Sequence, residues 1–133
     1  MTTILVIEDN PYIAESLARI IEMHIQDSTV FTARNGREGA ALMDSVPADL
    51  VITDLQMPVA DGYSVIEHRN RRHPGVPLVA MTAALDREVK DRLKGLGIRR
   101  CLEKPFDFDA VRGVLAEHLR EGSGAPPLAG RAA

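Results

Sequence analysis

The sequence predicts an α/β fold: a doubly wound parallel sheet of five strands with five helices on its two faces. Three observations predict it. The short aliphatic runs are continuous rather than alternating, as in parallel strands covered on both sides. Between them lie stretches whose apolar residues recur at helical spacing. The two kinds of segment alternate five times along 133 residues, and strands alternating with helices of this length mean βα units. Right-handed crossovers then leave only a few strand orders.

The first strand is Ile4-Leu5-Val6-Ile7. Asn10 is placed to cap the helix after it, Pro11 occupies the first helical position, and Ile13, Leu17, Ile20 and Ile21 give one apolar face. A weaker strand runs from Thr29 to Ala33. Asn35, with Glu38 three residues on, is a capping-box-like opening for a second helix with Leu42, Met43 and Val46 on its apolar face. Leu50-Val51-Ile52-Thr53 is the third strand. Asp61 caps a helix starting at Gly62, whose apolar face is short: Val65 and Ile66, then Arg69. Val76 to Met81 is the fourth strand. Leu85, Val89, Leu93 and Leu96 mark a fourth helix, stopped by Gly95 and Gly97. A second weak run, Ile98 to Leu102, is the fifth strand. Val111, Val114, Leu115 and Leu119 form the last helix, capped by Asp107. Residues 1–120 therefore read as one domain. Residues 121–133, rich in Gly, Pro and Ala and without period, read as a tail or linker.

Composition narrows the function. The net charge is −3, which argues against direct nucleic-acid binding. Hydrophobic residues make up 45% and charged residues 26%, an ordinary globular balance. Aromatics are 4% and Trp is absent, so the core must be aliphatic. A chain of this size buries roughly two-thirds of its unfolded surface, enough for a core without staples. The single cysteine, Cys101, excludes an internal disulfide and a multi-cysteine zinc site. No apolar run approaches the ~18 residues of a membrane span, and the N-terminus lacks the pattern of a signal peptide. A cytoplasmic location is the expectation.

Ligands of open α/β sheets bind at the carboxyl ends of the strands. Strand one runs into Glu8-Asp9, strand three into Asp54, strand four into Thr82, and strand five into Glu103-Lys104-Pro105. One Asp at a strand end is usually only a turn former, and one Lys is usually a solvated charge. Their joint occurrence at four strand ends is different. Three carboxylates together repel one another, and a divalent cation relieves that. An all-oxygen set with few fixed carboxylates suits Mg²⁺, which keeps waters and accepts phosphate oxygens. Lys104 would then face an anion, the combination that phosphoryl transfer requires.

Ile4-Leu5-Val6-Ile7-Glu8-Asp9-Asn10, Asp54-Leu55-Gln56-Met57-Pro58 with Asp61-Gly62, Met81-Thr82-Ala83 and Lys104-Pro105-Phe106 occur in this order and at these spacings. In them the chain resembles the receiver domain of two-component response regulators, over about residues 3–120. The resemblance implies a flavodoxin-like sheet of order 2-1-3-4-5. It implies that Asp54 is the phosphoacceptor, taking a phosphoryl group from a histidine of a sensor histidine kinase or a histidine phosphotransfer protein. Asp9 and Asp54 would bind Mg²⁺ (or Mn²⁺) directly, Glu8 through water, and the backbone carbonyl of Gln56 would complete the protein ligands. Lys104 would pair with a phosphoryl oxygen, Thr82 would swing its hydroxyl toward the phosphoryl group, and Pro105 would follow a cis peptide bond. The output surface would be helix four, strand five and helix five, including Arg99 and Arg100. It would face a downstream protein or a C-terminal output domain.

The chain departs from the family's pattern at several positions. Glu8 stands where Asp is commoner. Cys101 stands at the switch position usually held by Tyr or Phe, so switching is expected to reside in Thr82, with Cys101 packing as a small hydrophobe. Arg99 and Arg100 replace the acidic dimerisation residues of one DNA-binding subfamily, and Arg69 replaces an apolar residue. His24, His68, His73 and His118 lie on separate elements without ligand spacing and read as surface or helix-end residues. The segment around Arg69, Arg71, Arg72 and His73 reads as a solvated helix end.

Two enzyme-like readings are weaker. A dehalogenase-type phosphohydrolase needs a second Asp two residues after the nucleophile, where this chain has Gln56. A flavin binder needs a Ser/Thr-rich loop after strand one, where this chain has Glu8-Asp9-Asn10-Pro11. A partner-binding domain without phosphorylation chemistry would have no need of all these residues together.

Overall fold

A computed structural model describes residues 1–119. The expected tail, 121–133, lies outside the described residues. The strands are β1 (Thr2–Ile7), β2 (Ser28–Ala33), β3 (Leu50–Asp54), β4 (Leu78–Thr82) and β5 (Cys101–Glu103). The helices are α1 (Pro11–His24), α2 (Gly36–Ser45), α3 (Gly62–Arg72), α4 (Arg87–Gly95) and α5 (Phe108–Leu119). All strand pairs are parallel, in the order β2-β1-β3-β4-β5. No described helix is long and apolar enough to cross a membrane.

Two apolar cores sandwich the sheet because strand side chains alternate between faces. Ile4, Val6, Leu50, Ile52, Val79 and Met81 point to one face and are covered by α1 and α5 through Leu17, Ile21, Val111 and Leu115. Leu5, Ile7, Val51 and Ala80 point to the other, covered by Met43, Val65, Ile66 and Leu93 of α2, α3 and α4. Continuous aliphatic runs serve both faces at once.

Four helices begin as the sequence indicates. Asn10 accepts from the Tyr12 and Ile13 amides, and Asp61 accepts from Ser64 N–H. Asp107 accepts from Ala110 N–H at 2.8 Å. Asn35 accepts from Glu38 N–H at 2.9 Å, while Glu38 bonds Arg34 N–H, one residue before the cap position. Such caps are each worth ~1 kcal/mol.

Four details differ from the sequence reading. The fourth strand begins at Leu78, not Val76, because Val76 N–H is taken by His73 O in a turn and Pro77 has no N–H to give. The fourth helix begins at Arg87, capped by Asp86, leaving Leu85 in the preceding loop. It ends in a Schellman turn: Gly97 N–H bonds Lys94 O and Ile98 N–H bonds Leu93 O, with Gly97 at φ 81. That turn consumes Ile98 and shortens the fifth strand to three residues. Finally, Arg69 is no solvated charge. Its Nε donates to Val76 O at 2.8 Å and its Nη1 to Asn70 Oδ1 at 2.7 Å, tying the end of α3 to the loop before β4.

Gly62 places the first turn of α3 against the end of β3. A Cβ there would meet the Asp54 carbonyl oxygen and lie 2.7 Å from Leu55 Cα. Neither backbone atom can yield without moving Asp54. Gly62→Ala should therefore destabilise the domain by about 1–3 kcal/mol, the usual cost of overpacking. Urea unfolding checks this: the midpoint should fall with the slope unchanged.

Candidate functional site

The carboxyl edge of the sheet gathers the charged residues. Glu8 continues β1 with its N–H bonded to Ala33 O. It is 1% exposed, and both its oxygens are engaged: Oε1 accepts from Lys104 Nζ at 2.7 Å and Oε2 from Asn10 N–H at 3.1 Å. Asp54 ends β3, buried, with Oδ2 at 3.3 Å from the same Lys104 Nζ. Its Oδ1 lies 3.5 Å from Gln56 N. Asp9 is exposed beside them. One carboxylate oxygen from each of Glu8, Asp9 and Asp54 falls within 4.8 Å of the others.

Backbone pairing fixes this geometry. Leu55 N–H bonds Met81 O, and Lys104 N–H bonds Thr82 O at 2.8 Å, so β3, β4 and β5 end in register. The Lys104–Pro105 peptide is cis, as the resemblance implies. Thr82 is buried, and its hydroxyl oxygen accepts from Ala84 N–H at 3.2 Å, at the start of the loop leading to α4.

Burial raises the Glu8 carboxyl above its ordinary value, and the Asp54 charge adds to that, against the hydrogen bonds from Lys104 and Asn10. Burial works to lower the Lys104 ammonium, but the Glu8 hydrogen bond and the charges of Glu8 and Asp54 together hold it higher. Among the described residues three carboxylates face one ammonium, leaving an excess of two negative charges when all are ionised. Their oxygens are hard donors. The donor set and the charge deficit both fit Mg²⁺.

The remaining sequence-predicted residues lie together elsewhere. Cys101, Leu85, Lys90, Lys94, Arg99 and Arg100 border one cleft between α4 and β5. Both arginines are exposed, and Arg100 Nε sits 2.7 Å from Glu117 Oε1, joining the approach to β5 to α5. Cys101 is partly buried against the core that contains Leu93 and Ile98.

Two of the four histidines depart from the sequence reading. His24 and His118 place Nδ1 near carbonyls of their own helices, as helix-end residues do. His68 and His73, however, both reach Asp44 Oδ1, at 2.9 and 2.8 Å. Their hydrogen bonds pull the Asp44 carboxyl down to about 2, His73 contributing most. The only sequence signal was a pair of histidines straddling a helix end. Their separation of five residues matches no ligand spacing within a helix, and Asp44 comes from another helix.

The family described as response regulator receiver domain matches residues 4–116. The chain is 30% identical over 115 residues to the probable C4-dicarboxylate response regulator DctR of Halalkalibacterium halodurans, covering 86% of this chain and 50% of that one. It is 34% identical over 121 residues to the transcriptional regulatory protein TcrA of Mycobacterium tuberculosis, covering 90% and 46%. The chain thus spans about half the length of these curated relatives. Among solved structures it is similar to the chemotaxis protein CheY4 of Vibrio cholerae, with TM-score 0.81 and 26% identity over 90% of this chain and 99% of that one. The signal receiver domain of a DNA-binding response regulator from Colwellia psychrerythraea gives TM-score 0.83 at 26% identity, covering 91% and 100%.

Burial, helped by the Glu103 charge, pushes the Cys101 thiol up to about 11. The thiolate is the reactive form, so at pH 8 iodoacetamide should modify Cys101 roughly two hundredfold more slowly than a free thiol of pKa about 8.5. The rate should keep rising with pH toward 11. A profile that levels off near pH 8.5 would contradict this packing role.

Proposed function

We propose that this chain, which belongs to the response regulator receiver domain family, works by accepting a phosphoryl group on Asp54. The observation that carries the assignment is the position of that carboxylate. It is buried at the end of β3, 3.3 Å from Lys104 Nζ, with Glu8 and Asp9 beside it. In this reading an Asp54 oxygen attacks the phosphorus of a phosphohistidine presented by a sensor histidine kinase or a histidine phosphotransfer protein. The new P–O bond forms as the P–N bond breaks, and the imidazole leaves.

Asp9, Asp54 and the Gln56 carbonyl would hold Mg²⁺ (or Mn²⁺), with Glu8 acting through water. The ion supplies positive charge against the carboxylates and the phosphoryl oxygens. Lys104 has three N–H donors, so it can turn one from Asp54 to a phosphoryl oxygen while staying on Glu8. Thr82 now accepts from Ala84 N–H and retains its own hydroxyl proton to donate. Swinging that hydroxyl toward the phosphoryl group while it still accepts from Ala84 N–H would draw the α4 approach with it. Each contact made only in the phosphorylated form shifts the population toward a second state.

The readout in this proposal is the face of α4, β5 and α5, where Arg99 offers positive charge to an acidic partner patch and Arg100 would exchange Glu117 for it. That partner is a downstream protein or a C-terminal output domain. Rim charges of this kind act mainly on association rate. The domain itself acts in the cytoplasm, contacts no nucleic acid, and has no chemistry beyond its own phosphorylation and dephosphorylation.

Acetyl phosphate with Mg²⁺ should add one labile phosphoryl group, seen by intact-mass spectrometry, and Asp54→Asn or a chelator should abolish it. Labelling of Asp54→Asn at the wild-type rate and site would refute the assignment. Thr82→Ala should still accept the group but lose most of the coupling to partner binding, expected at ~1–3 kcal/mol. Partner affinity with and without beryllofluoride measures that loss.

A further inference from the structure

We propose that Asp44, His68 and His73 form a binding site for a divalent transition-metal ion, of which zinc is the type case, joining α2 to α3. The site does not depend on the phosphorylation reading above. In a parallel sheet each helix returns from the carboxyl edge, so the last turns of α2 and α3 lie at the opposite edge from Asp54.

The three side chains already converge. His68 Nε2 and His73 Nε2 lie 2.9 and 2.8 Å from the same oxygen, Asp44 Oδ1. One ligand atom from each of the three falls within 4.8 Å of the others. The rings are tilted by 47° with centroids 5.7 Å apart, so they meet at their Nε2 edges rather than stack. Around a tetrahedral ion with ligand bonds of ~2.0–2.1 Å, neighbouring donors stand about 3.3 Å apart. Each of the two N···O separations needs to open by only about half an ångström.

Placement favours an ion over a loose surface contact. The His68 and His73 side chains are 14% and 26% exposed, well sheltered for helix-end histidines. His68 is fixed within α3, and His73 is its C-cap, with φ −138 and ψ 54. That break from helical geometry turns a residue five positions along back toward Asp44. A cleft bordered by Asp44, His73, Pro47 and Val76 opens beside the group and gives an ion and a water ligand a way in.

The donor chemistry selects the metal. Mg²⁺ and Ca²⁺ take oxygen ligands, whereas two imidazoles with one carboxylate suit Zn²⁺ and its first-row neighbours. Three protein ligands leave a fourth position for water. An imidazole that gives its Nε2 lone pair to the ion keeps its one proton on Nδ1, and its hydrogen bond to Asp44 gives way to the bond to the metal. Arg72, with Nε 3.5 Å from Oδ1 and its side chain 62% exposed, can swing into solvent as the ion enters.

The test is a zinc titration of the chelator-treated full chain by calorimetry, with histidine ring nitrogens followed by NMR. Excess Mg²⁺ is kept present. The expected result is one ion per chain, with the Nε2 signals of His68 and His73 shifted and those of His24 and His118 unmoved. His68→Gln, His73→Gln and Asp44→Asn should each weaken binding at least ~10–100-fold, the loss that even an outer-shell change brings. His24→Gln and His118→Gln should leave it intact. The NMR readout on the unaltered chain stands even if a variant folds poorly. Absence of binding overturns the proposal. So does binding that leaves His68 and His73 unshifted, or that disappears in Cys101→Ser or Asp9→Asn instead.

Discussion

Three carboxylates are confined with one ammonium at a single edge of the sheet, and much of the architecture serves to hold them there. Glu8 is buried, and it is tied to Lys104 at 2.7 Å and to the Asn10 amide. Lys104 comes from the far end of the sequence and is fixed through Thr82 O. The close approach of Gly62 to the Asp54 backbone belongs to the same constraint. Removing one member of a buried, paired set leaves the others uncompensated. The site is therefore a unit rather than a collection of residues.

The same edge meets the mobile chemistry of the proposed switch. Thr82 belongs to β4 by its backbone and to the α4 approach by its hydroxyl, through Ala84. The cleft beyond it has no aromatic ring at position 101, only a thiol packed beside Leu93 and Ile98. Arg100 is bonded across to Glu117 on α5. A displacement of α4 would thus alter one wall of the cleft while the β5–α5 wall stays braced.

Much of this was legible in the sequence, because parallel strands are apolar on both faces and each run stops abruptly at a charged or hydroxyl residue. Glu8, Asp54, Thr82 and Lys104 could be placed on one edge for that reason. The helix caps were legible where Asn or Asp stood immediately before an apolar period. The start of α4 was not, since Leu85 fits the helical period while Asp86 is the cap. The fifth strand was overestimated because Ile98 is apolar for a different reason: it completes a Schellman turn against Leu93. Arg69 and the Asp44–His68–His73 group were illegible for a third reason. Both depend on how the end of α3 turns into the next loop, which no periodicity encodes.

The excess of negative charge at the carboxyl edge is tested most directly by the stability of Asp9→Asn. Asp9 is exposed and contributes charge rather than packing. Unfolding should be followed in chelator and again in saturating Mg²⁺. In chelator the variant should be more stable than the unaltered chain, by about 1 kcal/mol, because one of three mutually repelling carboxylates is gone. In Mg²⁺ the order should narrow or reverse, since the unaltered chain gains binding energy that the variant lacks. A variant that is less stable in chelator, or that gains as much from Mg²⁺ as the unaltered chain, would contradict the electrostatic origin of the site.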